Sequence, residues 1–450
     1  MKSSELRRKI GIFSHGGVRN LGDEALFAAV LQSVRARIPD AEIFGFTSNP
    51  EDTTQRHGLE SFPIRRLEKA TKVAAQSSTA LATESSLRTP ELRAKKWREM
   101  LKSVPGIAAT IRRARSIKQV LKSVLLEPKF LWSSYRNLKG VEILLIAGSQ
   151  QLNDIYGAWE FPFTLYKWSV LARLTGTKVA VLSVGAGPLS SRMSRFFIRR
   201  VLHMSSYRSY RDVISRHLIE SIGVEGPNPV YPDLVYGMRL PEPRPVATDA
   251  KAVVVGVNPV PFYDGRYWAT PNPARYRDYV QKLARFTEWL HQNGYSTLFF
   301  PTQTRADTLT IQDIRNELNG MANSPRILSG NPIQNIDDLI SEIARADIII
   351  ANRYHGILLS LALNKPVLGI AYHEKSRELL EQAGQGKYVV GVADFNTDDL
   401  VQKITEMHAN APEIKKEIAS RIAPLHEALE EQYDAVFGLI GIVPSRPQRN

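Results

Sequence analysis

Residues 347–371 read DIIIANRYHGILLSLALNKPVLGIA, and their pattern indicates the fold class. It predicts an apolar strand over residues 347–352, a polar turn that begins at Arg353, a helix over residues 357–363 and a second strand over residues 366–371. Short apolar runs separated by a helix are typical of a βαβ unit, whose parallel strands are buried on both faces. The stretch therefore predicts an α/β protein with a parallel sheet.

The same alternation runs through most of the chain. It predicts strands over residues 9–14, 42–47, 141–147 and 178–184, with helices over residues 23–38 and 161–174 between them. The proline-rich run LPEPRPV at residues 240–246 suits a linker, and a new series of strands begins at residue 251. The sequence therefore predicts two Rossmann-like doubly wound domains that face a cleft, residues 1–245 and 246–450.

Composition excludes several classes of protein. The 450 residues are 43% hydrophobic and 23% charged, which excludes a disordered or collagen-like chain. The absence of cysteine excludes disulfide scaffolds, cysteine-ligated metal sites and cysteine nucleophiles. No apolar run reaches the roughly 18 residues of a membrane span. The basic N-terminus is also a poor signal peptide, so the sequence predicts a soluble cytoplasmic protein.

The net charge of +14 is concentrated in one insertion of the first domain. Residues 65–139 contain nine Lys and nine Arg against five Glu and no Asp. Residues 91–101 and 107–125 within it are predicted to form basic, partly amphipathic helices. Such helices can bind an anionic membrane or pack on the domain as a solvated insertion, and both interpretations remain open. Nucleic acid is not an expected partner, because the segment has few aromatic residues and no recognition motif.

Arg353 and His355 are the sharpest candidates for a functional site. They follow a predicted strand and precede a helix, and side chains two residues apart on extended backbone point to the same side. Arginine offers a fixed charged fork for phosphate or carboxylate, and histidine can exchange a proton near neutral pH. Lys375 follows the next strand, so it is predicted to reach the same cleft.

The opening loop is the second candidate. Gly17 would let the backbone approach a ligand, and Asn20, Asp23 and Glu24 follow it. The glycine spacing matches no nucleotide fingerprint. The carboxylates suit the activation or binding of sugar hydroxyls better than the binding of phosphate. The scattered histidines have no metal-ligand spacing, so no metal is expected.

The chain resembles the polysaccharide pyruvyl transferase family. The resemblance runs in the family's order from about residue 9 to 390, apart from the basic segment. Its segments are GGVRNLGDEALF (16–27), AGSQQLND (147–154), SVGAGPL (183–189), SYRDVIS (209–215), PDLVY (232–236) and RYHGILLSLALNKPVLGIAYHEK (353–375). Ser149 departs from the family, which usually has a third glycine there.

The resemblance implies a GT-B-like fold and the transfer of pyruvate from phosphoenolpyruvate to two hydroxyls of one sugar. By the same resemblance Arg211 and Arg353 would bind the donor and His355 would be the catalytic acid or base. On chemical grounds, Asp23 is suited to orient or deprotonate the acceptor. No cofactor is implied. Acceptors of this kind are commonly lipid-linked oligosaccharides, which would place the enzyme at the inner membrane face.

Other functions remain open from the sequence. A GT-B glycosyltransferase that uses a nucleotide sugar shares the fold and the basic phosphate-binding residues. A non-catalytic binding subunit is disfavoured because Arg353 and His355 are both present. The sequence does not distinguish acceptor sugars, ketal stereochemistry, the stage of polysaccharide assembly or oligomeric states.

Overall fold

The computed structural model describes residues 7–15, 20–66, 127–240, 252–268, 270–318, 320–321 and 324–443. Two parallel six-stranded sheets form its framework. The first contains β1 (Lys9–Ser14), β2 (Glu42–Thr47), β3 (Glu60–Pro63), β4 (Ile143–Ala147), β5 (Lys178–Val184) and β6 (Tyr207–Tyr210). The second contains β7 (Val254–Asn258), β8 (Ser296–Phe299), β9 (Ile327–Leu328), β10 (Ile348–Ala351), β11 (Val367–Ala371) and β12 (Val389–Gly391).

Both sheets have the same topology. The strand orders are β3-β2-β1-β4-β5-β6 and β12-β11-β10-β7-β8-β9. The order in which the chain visits the strands therefore reverses between β1 and β4 in the first sheet, and between β7 and β10 in the second. In register, Ile12 of β1 lies between Gly45 of β2 and Leu145 of β4. Ligands of such sheets bind beyond the carboxyl ends of the strands, where the order reverses. The loops after β1, β4, β7 and β10 are therefore the expected walls of a site.

Helices cover both faces of each sheet. The helices of the first half are α1 (Leu21–Arg37), α2 (Pro50–His57), α3 (Phe161–Thr175), α4 (Arg192–Met204) and α5 (Val213–Ser221). Those of the second half are α6 (Pro273–Gln292), α7 (Ala306–Glu317), α8 (Ile336–Ala344), α9 (Tyr354–Ala362), α10 (Glu374–Gln382), α11 (Thr397–Ala409) and α12 (Ala411–Gly438). Residues 127–138 are also helical. No helix in the described part of the chain is both long and apolar enough to cross a membrane.

The two halves share a core. One cluster of buried side chains runs from α1 and one face of the first sheet into the second sheet, and another fills the opposite face of the first sheet. Helix α12 returns to the first half, where buried Gln432 accepts a hydrogen bond from Ser209 and Arg37 pairs with Glu430 at 2.6 Å. The predicted fold class, two doubly wound α/β units, is confirmed.

Two differences from the sequence predictions matter for the site. Helix α9 begins at Tyr354, three residues before the predicted start, so His355 lies in its first turn and not on extended backbone. Arg353 alone keeps an extended conformation, with φ −73° and ψ 134°. Gly17, most of the basic segment and the linker at residues 241–251 lie outside the described residues, so the domain boundary at residue 245 stays a prediction.

Candidate active site

The carboxyl ends of the two sheets meet at paired backbone segments. The amide of Leu21 donates to the carbonyl of Thr302 at 3.2 Å, and Asn20 forms an isolated antiparallel bridge with Gln303. Residues 20–21 follow β1 and residues 302–303 follow β8. This pairing joins the first turn of α1 to the second half of the chain, and it brings Asn20 and Asp23 to the cleft.

The carboxylate of Asp23 is held at both oxygens. Asn20 Nδ2 donates to Asp23 Oδ2 at 2.9 Å, and Ser149 Oγ donates to Oδ1 at 2.8 Å. Asn20 also caps α1, because its Oδ1 accepts from the amide of Gly22 at 3.2 Å. The two donors come from the loops after β1 and β4, the neighbouring strands where the order reverses. Asp23 is therefore oriented before any ligand binds.

His355 packs directly on the first turn of α1. A Cβ atom on Gly22 would lie 2.1 Å from His355 Nδ1, so only glycine leaves room for this imidazole. The Nε2 atom is enclosed and makes no hydrogen bond to any described residue. Burial lowers the pKa of His355; Asp233 and Asp23 oppose this effect. The imidazole is thus a neutral, enclosed group with one free ring nitrogen.

Arg353 is anchored within its own half of the molecule. Its Nη2 and Nε atoms donate to Asp307 Oδ1 at 2.6 and 3.1 Å, and Nη2 also donates to Gln303 at 3.0 Å. The other oxygen of Asp307, which is fully buried, accepts from the amides of Thr302 and Gln303. Burial alone would lower the pKa of Arg353, but Asp307 raises it above its ordinary value. The guanidinium is therefore permanently charged and fixed.

Arg211 reaches the same motif from the first half. It lies at the end of β6, is buried, and donates from Nη1 to Asp233 Oδ2 at 3.2 Å. Its guanidinium lies over the ring of Tyr354 at 4.8 Å. Burial opposes the charge, but Tyr354 and Asp233 raise the pKa of Arg211 above its ordinary value. Arg211 and Arg353 therefore flank the start of α9 from opposite halves, and both contribute to the low pKa of His355.

Lys375 differs from the two arginines because it forms no ion pair with a carboxylate of the described residues. Its Nζ atom is buried and makes no hydrogen bond to a described residue. It lines a pocket between the two halves with Arg211, Asp233, Tyr354 and Glu378. Burial and then Arg211 lower the pKa of Lys375, while Asp212 and Glu378 oppose the shift. An ammonium group with unused donors beside a buried arginine is suited to bind an incoming anion.

Two predicted residues are not brought to this cluster. Glu24 is buried on another side of α1, where its Oε1 lies 3.1 Å from His57 Nε2 and its Oε2 lies 3.8 Å from Arg56. Its predicted substrate-binding role has no support from this position and stays a prediction. Gly17 precedes the described part of the loop. Among the described residues, no group of three His, Asp or Glu side chains could hold a metal ion.

Sequence reasoning missed Asp307 and Asp233 as site residues. Asp307 looks like an ordinary acid in the first turn of a helix, and nothing nearby in sequence indicates that it pairs with Arg353. Asp233 lies in the PDLVY segment and caps the 3-10 turn Leu234–Gly237. The cluster as a whole can hold anions with three cations, move a proton at His355 and orient a hydroxyl at Asp23.

Comparison with known proteins gives a family and a fold. The family model described as Polysaccharide pyruvyl transferase matches residues 20–374. No curated protein sequence matches the chain. A solved structure of a putative UDP-N-acetylglucosamine 2-epimerase from Listeria monocytogenes is similar with a TM-score of 0.55, at 10% identity over 97% of each chain.

A second solved structure is equally distant in sequence. The UDP-GlcNAc 2-epimerase from Neisseria meningitidis, bound to UDP-GlcNAc, has a TM-score of 0.52 at 10% identity. The similarity covers 97% of this chain and 99% of the epimerase. At such identities the likeness concerns the fold, and the predicted GT-B-like arrangement is confirmed.

Proposed function

Because this chain belongs to the polysaccharide pyruvyl transferase family, we propose that it transfers pyruvate from phosphoenolpyruvate to two hydroxyl groups of one sugar. The acceptor would be part of an exopolysaccharide or cell-surface glycan, commonly lipid-linked, and the product would be a pyruvate ketal. The observation that carries this proposal is the position of His355. Its ring packs on Gly22 of the first half, next to Asp23, while Arg353 precedes it at the start of α9 in the second half. Asp233, Asp23, Arg211 and Arg353 are all close enough to affect its pKa.

The cations match the charge of the donor. Phosphoenolpyruvate carries a phosphate and a carboxylate. Arg211 and Lys375 line a pocket with Tyr354 of α9, and Arg353 is the residue at which α9 is capped. Arg211 and Arg353 already have carboxylate partners, so they supply a fixed positive field. Lys375 has unused donors and would make the new hydrogen bonds to the phosphate or carboxylate.

The reaction needs one proton on carbon and one carbon–oxygen bond broken. His355 would protonate the methylene carbon, which becomes the methyl group, while a sugar hydroxyl attacks C2. The C2–O bond to phosphate breaks, and the neighbouring hydroxyl closes the ketal. Of the two hydroxyl protons, one replaces the proton given to carbon and the other leaves with phosphate. Asp23 would accept the first of these protons and return it to His355, which restores the acid for the next turnover.

The neutral state of His355 is compatible with this role. Burial is the main cause of the lowered pKa of His355, and Arg211 and Arg353 lower it further in the free protein. A bound donor places several negative charges beside those arginines and cancels their effect. Donor binding would therefore raise the pKa of His355 and protonate it only when the substrate is present.

Calorimetric titration of the purified protein with phosphoenolpyruvate, UDP- and GDP-sugars tests the proposal. We expect phosphoenolpyruvate to bind and Lys375→Gln to weaken its binding by about 10- to 150-fold, since hydrogen bonds to charged groups contribute about 1.5–3 kcal/mol. Lys365→Gln is the matched control. It removes another partly buried lysine of the second half, whose Nζ donates to the carbonyl of Ala344, and it should leave the affinity for phosphoenolpyruvate unchanged. Binding of a nucleotide sugar without binding of phosphoenolpyruvate would overturn the proposal.

A further inference from the structure

Several large apolar side chains are exposed on the first half of the molecule. In the loop after β4, Ile155, Tyr156 and Trp159 are 61%, 72% and 66% exposed. On the neighbouring helix α4, Met193 and Phe196 are 45% and 42% exposed. We call these five residues the aromatic face. Exposed apolar residues that cluster in this way mark interaction surfaces.

Ring contacts join the loop and the helix into one surface. The ring of Trp159 lies 5.6 Å from that of Phe197 on α4, and Phe197 lies 5.7 Å from Phe196. The carboxylate of Asp154 fixes the loop to the start of α4, because it accepts from the amides of Ser190 and Ser191 at 2.8 Å each. The aromatic face is therefore held in shape by rigid neighbours.

Helix α4 surrounds this face with positive charge. Arg192, Arg195, Arg199 and Arg200 are all exposed, and the helix contains no acidic residue. None of the four forms an ion pair within the described part of the chain. Arg192, Arg195 and Arg199 line a shallow pocket beside Phe196. The surface thus combines apolar rings with unneutralised guanidinium groups.

The aromatic face lies beside the cleft. Ile155, Tyr156 and Trp159 belong to the same loop as Ser149, which donates a hydrogen bond to Asp23. Phe161, where this loop ends, contacts His15 after β1, with ring centres 4.0 Å apart. The described residues that border positions 67–126 also lie here. Arg65 pairs with Glu160, and Lys167 of α3 pairs with Glu127 at 2.8 Å.

The charge of the basic segment argues against its covering this surface. Residues 67–126 contain 13 Lys and Arg against four Glu. Packing them on four unpaired arginines would place like charges together, which is unfavourable. The arginines of α4 are instead complementary to a polyanionic surface.

We propose that the aromatic face and the arginines of α4 bind the headgroup layer of an anionic membrane. Tryptophan and tyrosine favour the membrane interface because their rings are apolar and their N–H and O–H groups stay hydrated. The arginines bind lipid phosphates, each contributing several-fold to affinity. Membrane binding by this surface rests on the proposed function in one respect only: a lipid-linked acceptor would explain why the cleft opens toward a membrane.

Vesicle sedimentation in the absence of any donor tests this surface separately from catalysis. Vesicles of phosphatidylcholine alone are compared with vesicles of equal parts phosphatidylcholine and phosphatidylglycerol. We expect binding to the anionic vesicles that high salt reverses. Changing Arg192, Arg199 and Arg200 together to Gln should weaken binding on the order of 100-fold, since each cation contributes about five-fold.

Two further variants complete the test. Tyr156→Ser with Trp159→Ser should weaken binding to anionic vesicles even at low salt, and its thermal melting reports whether it still folds. As a matched control, Gln replaces three exposed arginines of α6, Arg275, Arg277 and Arg285, and should bind as the wild type does.

Unchanged binding of the α4 variant, equal binding to neutral vesicles, or equal losses in the α4 and α6 variants would each overturn the proposal. A concentration-dependent dimer that the Tyr156 and Trp159 changes dissolve, without vesicle binding, would make the aromatic face a self-association surface and would also overturn it. Failure of phosphoenolpyruvate to bind leaves this measurement unaffected.

Discussion

Gly22→Ala is the smallest change that should disable the site. The new methyl group would lie 2.1 Å from His355 Nδ1 and 2.3 Å from Cγ, well inside the 3.0 Å that real Cβ atoms keep from other atoms. The ring cannot stay in place, and it must move by about 1 Å or more. A displacement of about 1 Å at a reacting group can cost about 100-fold in rate, so we expect turnover to fall by about that factor.

The change should not act through helix stability. Gly22 lies in the first turn of α1, and alanine is more favourable than glycine inside a helix by about 0.5–1 kcal/mol. Gly438→Ala, at the end of α12, is the matched control, because its methyl group would meet nothing within 4 Å. It should have normal turnover.

Phosphate release from phosphoenolpyruvate measures turnover, and NMR of the His355 ring protons reports its position. A Gly22→Ala protein with wild-type turnover and an unchanged imidazole signal would refute the close packing of His355 on α1. Thermal melting shows whether the Gly22→Ala protein is folded, so a loss of turnover caused by unfolding would be recognised.

Four further predictions concern the donor-binding arginines, His355, His15 and the basic insertion. Arg211→Ala and Arg353→Ala should each weaken donor binding by about 1.5–3 kcal/mol in calorimetry, and wild-type affinity in both would remove them from the site. His355→Ala should lower phosphate release by about 10²–10⁴-fold while donor binding survives; near-normal turnover would leave the residue a structural role. Burial, with a smaller effect of Arg65, lowers the pKa of His15 well below its ordinary value of 6.5. Below pH 6.5 the unfolded chain therefore binds a proton at His15 that the folded protein does not bind. The free energy of unfolding should thus fall as the pH falls through 6.5. Denaturant unfolding of His15→Phe should show less of this loss, and an identical pH dependence would contradict the assignment. The last prediction concerns the basic insertion and comes from the sequence alone. Replacing five of its basic residues by Gln should abolish low-salt binding to anionic vesicles without unfolding the protein, whereas no effect would favour a solvated insertion. The five positions are Arg112, Arg113, Arg115, Lys118 and Lys122.

The fold was largely predictable because a parallel sheet covered on both faces needs continuous apolar strands. The buried strand Ile348–Ala351 and its partner Val367–Ala371 are visible as such runs. Arg353, His355 and Lys375 could be found because polar residues directly after these strands must lie at the carboxyl edge of the sheet. The start of α9 was misplaced by three residues, since Tyr354 and His355 carry no capping signal.

The partners of these residues could not be predicted. Asp307 is 46 positions away from Arg353 in sequence. Asp307 follows β8 and Arg353 follows β10, and the two residues meet because these strands lie on either side of β7 in the sheet. Asp23 and Glu24 are adjacent in sequence but rotated by about 100° around α1, so one faces the cleft and the other faces α2. Which of them does so depends on how α1 packs, and periodicity alone does not reveal it.

Reaction of the protein with phosphoenolpyruvate and a sugar acceptor in D₂O tests the central claim most directly. We expect acceptor-dependent release of phosphate, matched in amount by a ketal whose new methyl group carries one deuterium from solvent. The same product should be absent with His355→Ala. Transfer of a sugar from a nucleotide donor to the acceptor, with phosphoenolpyruvate left intact, would contradict the account.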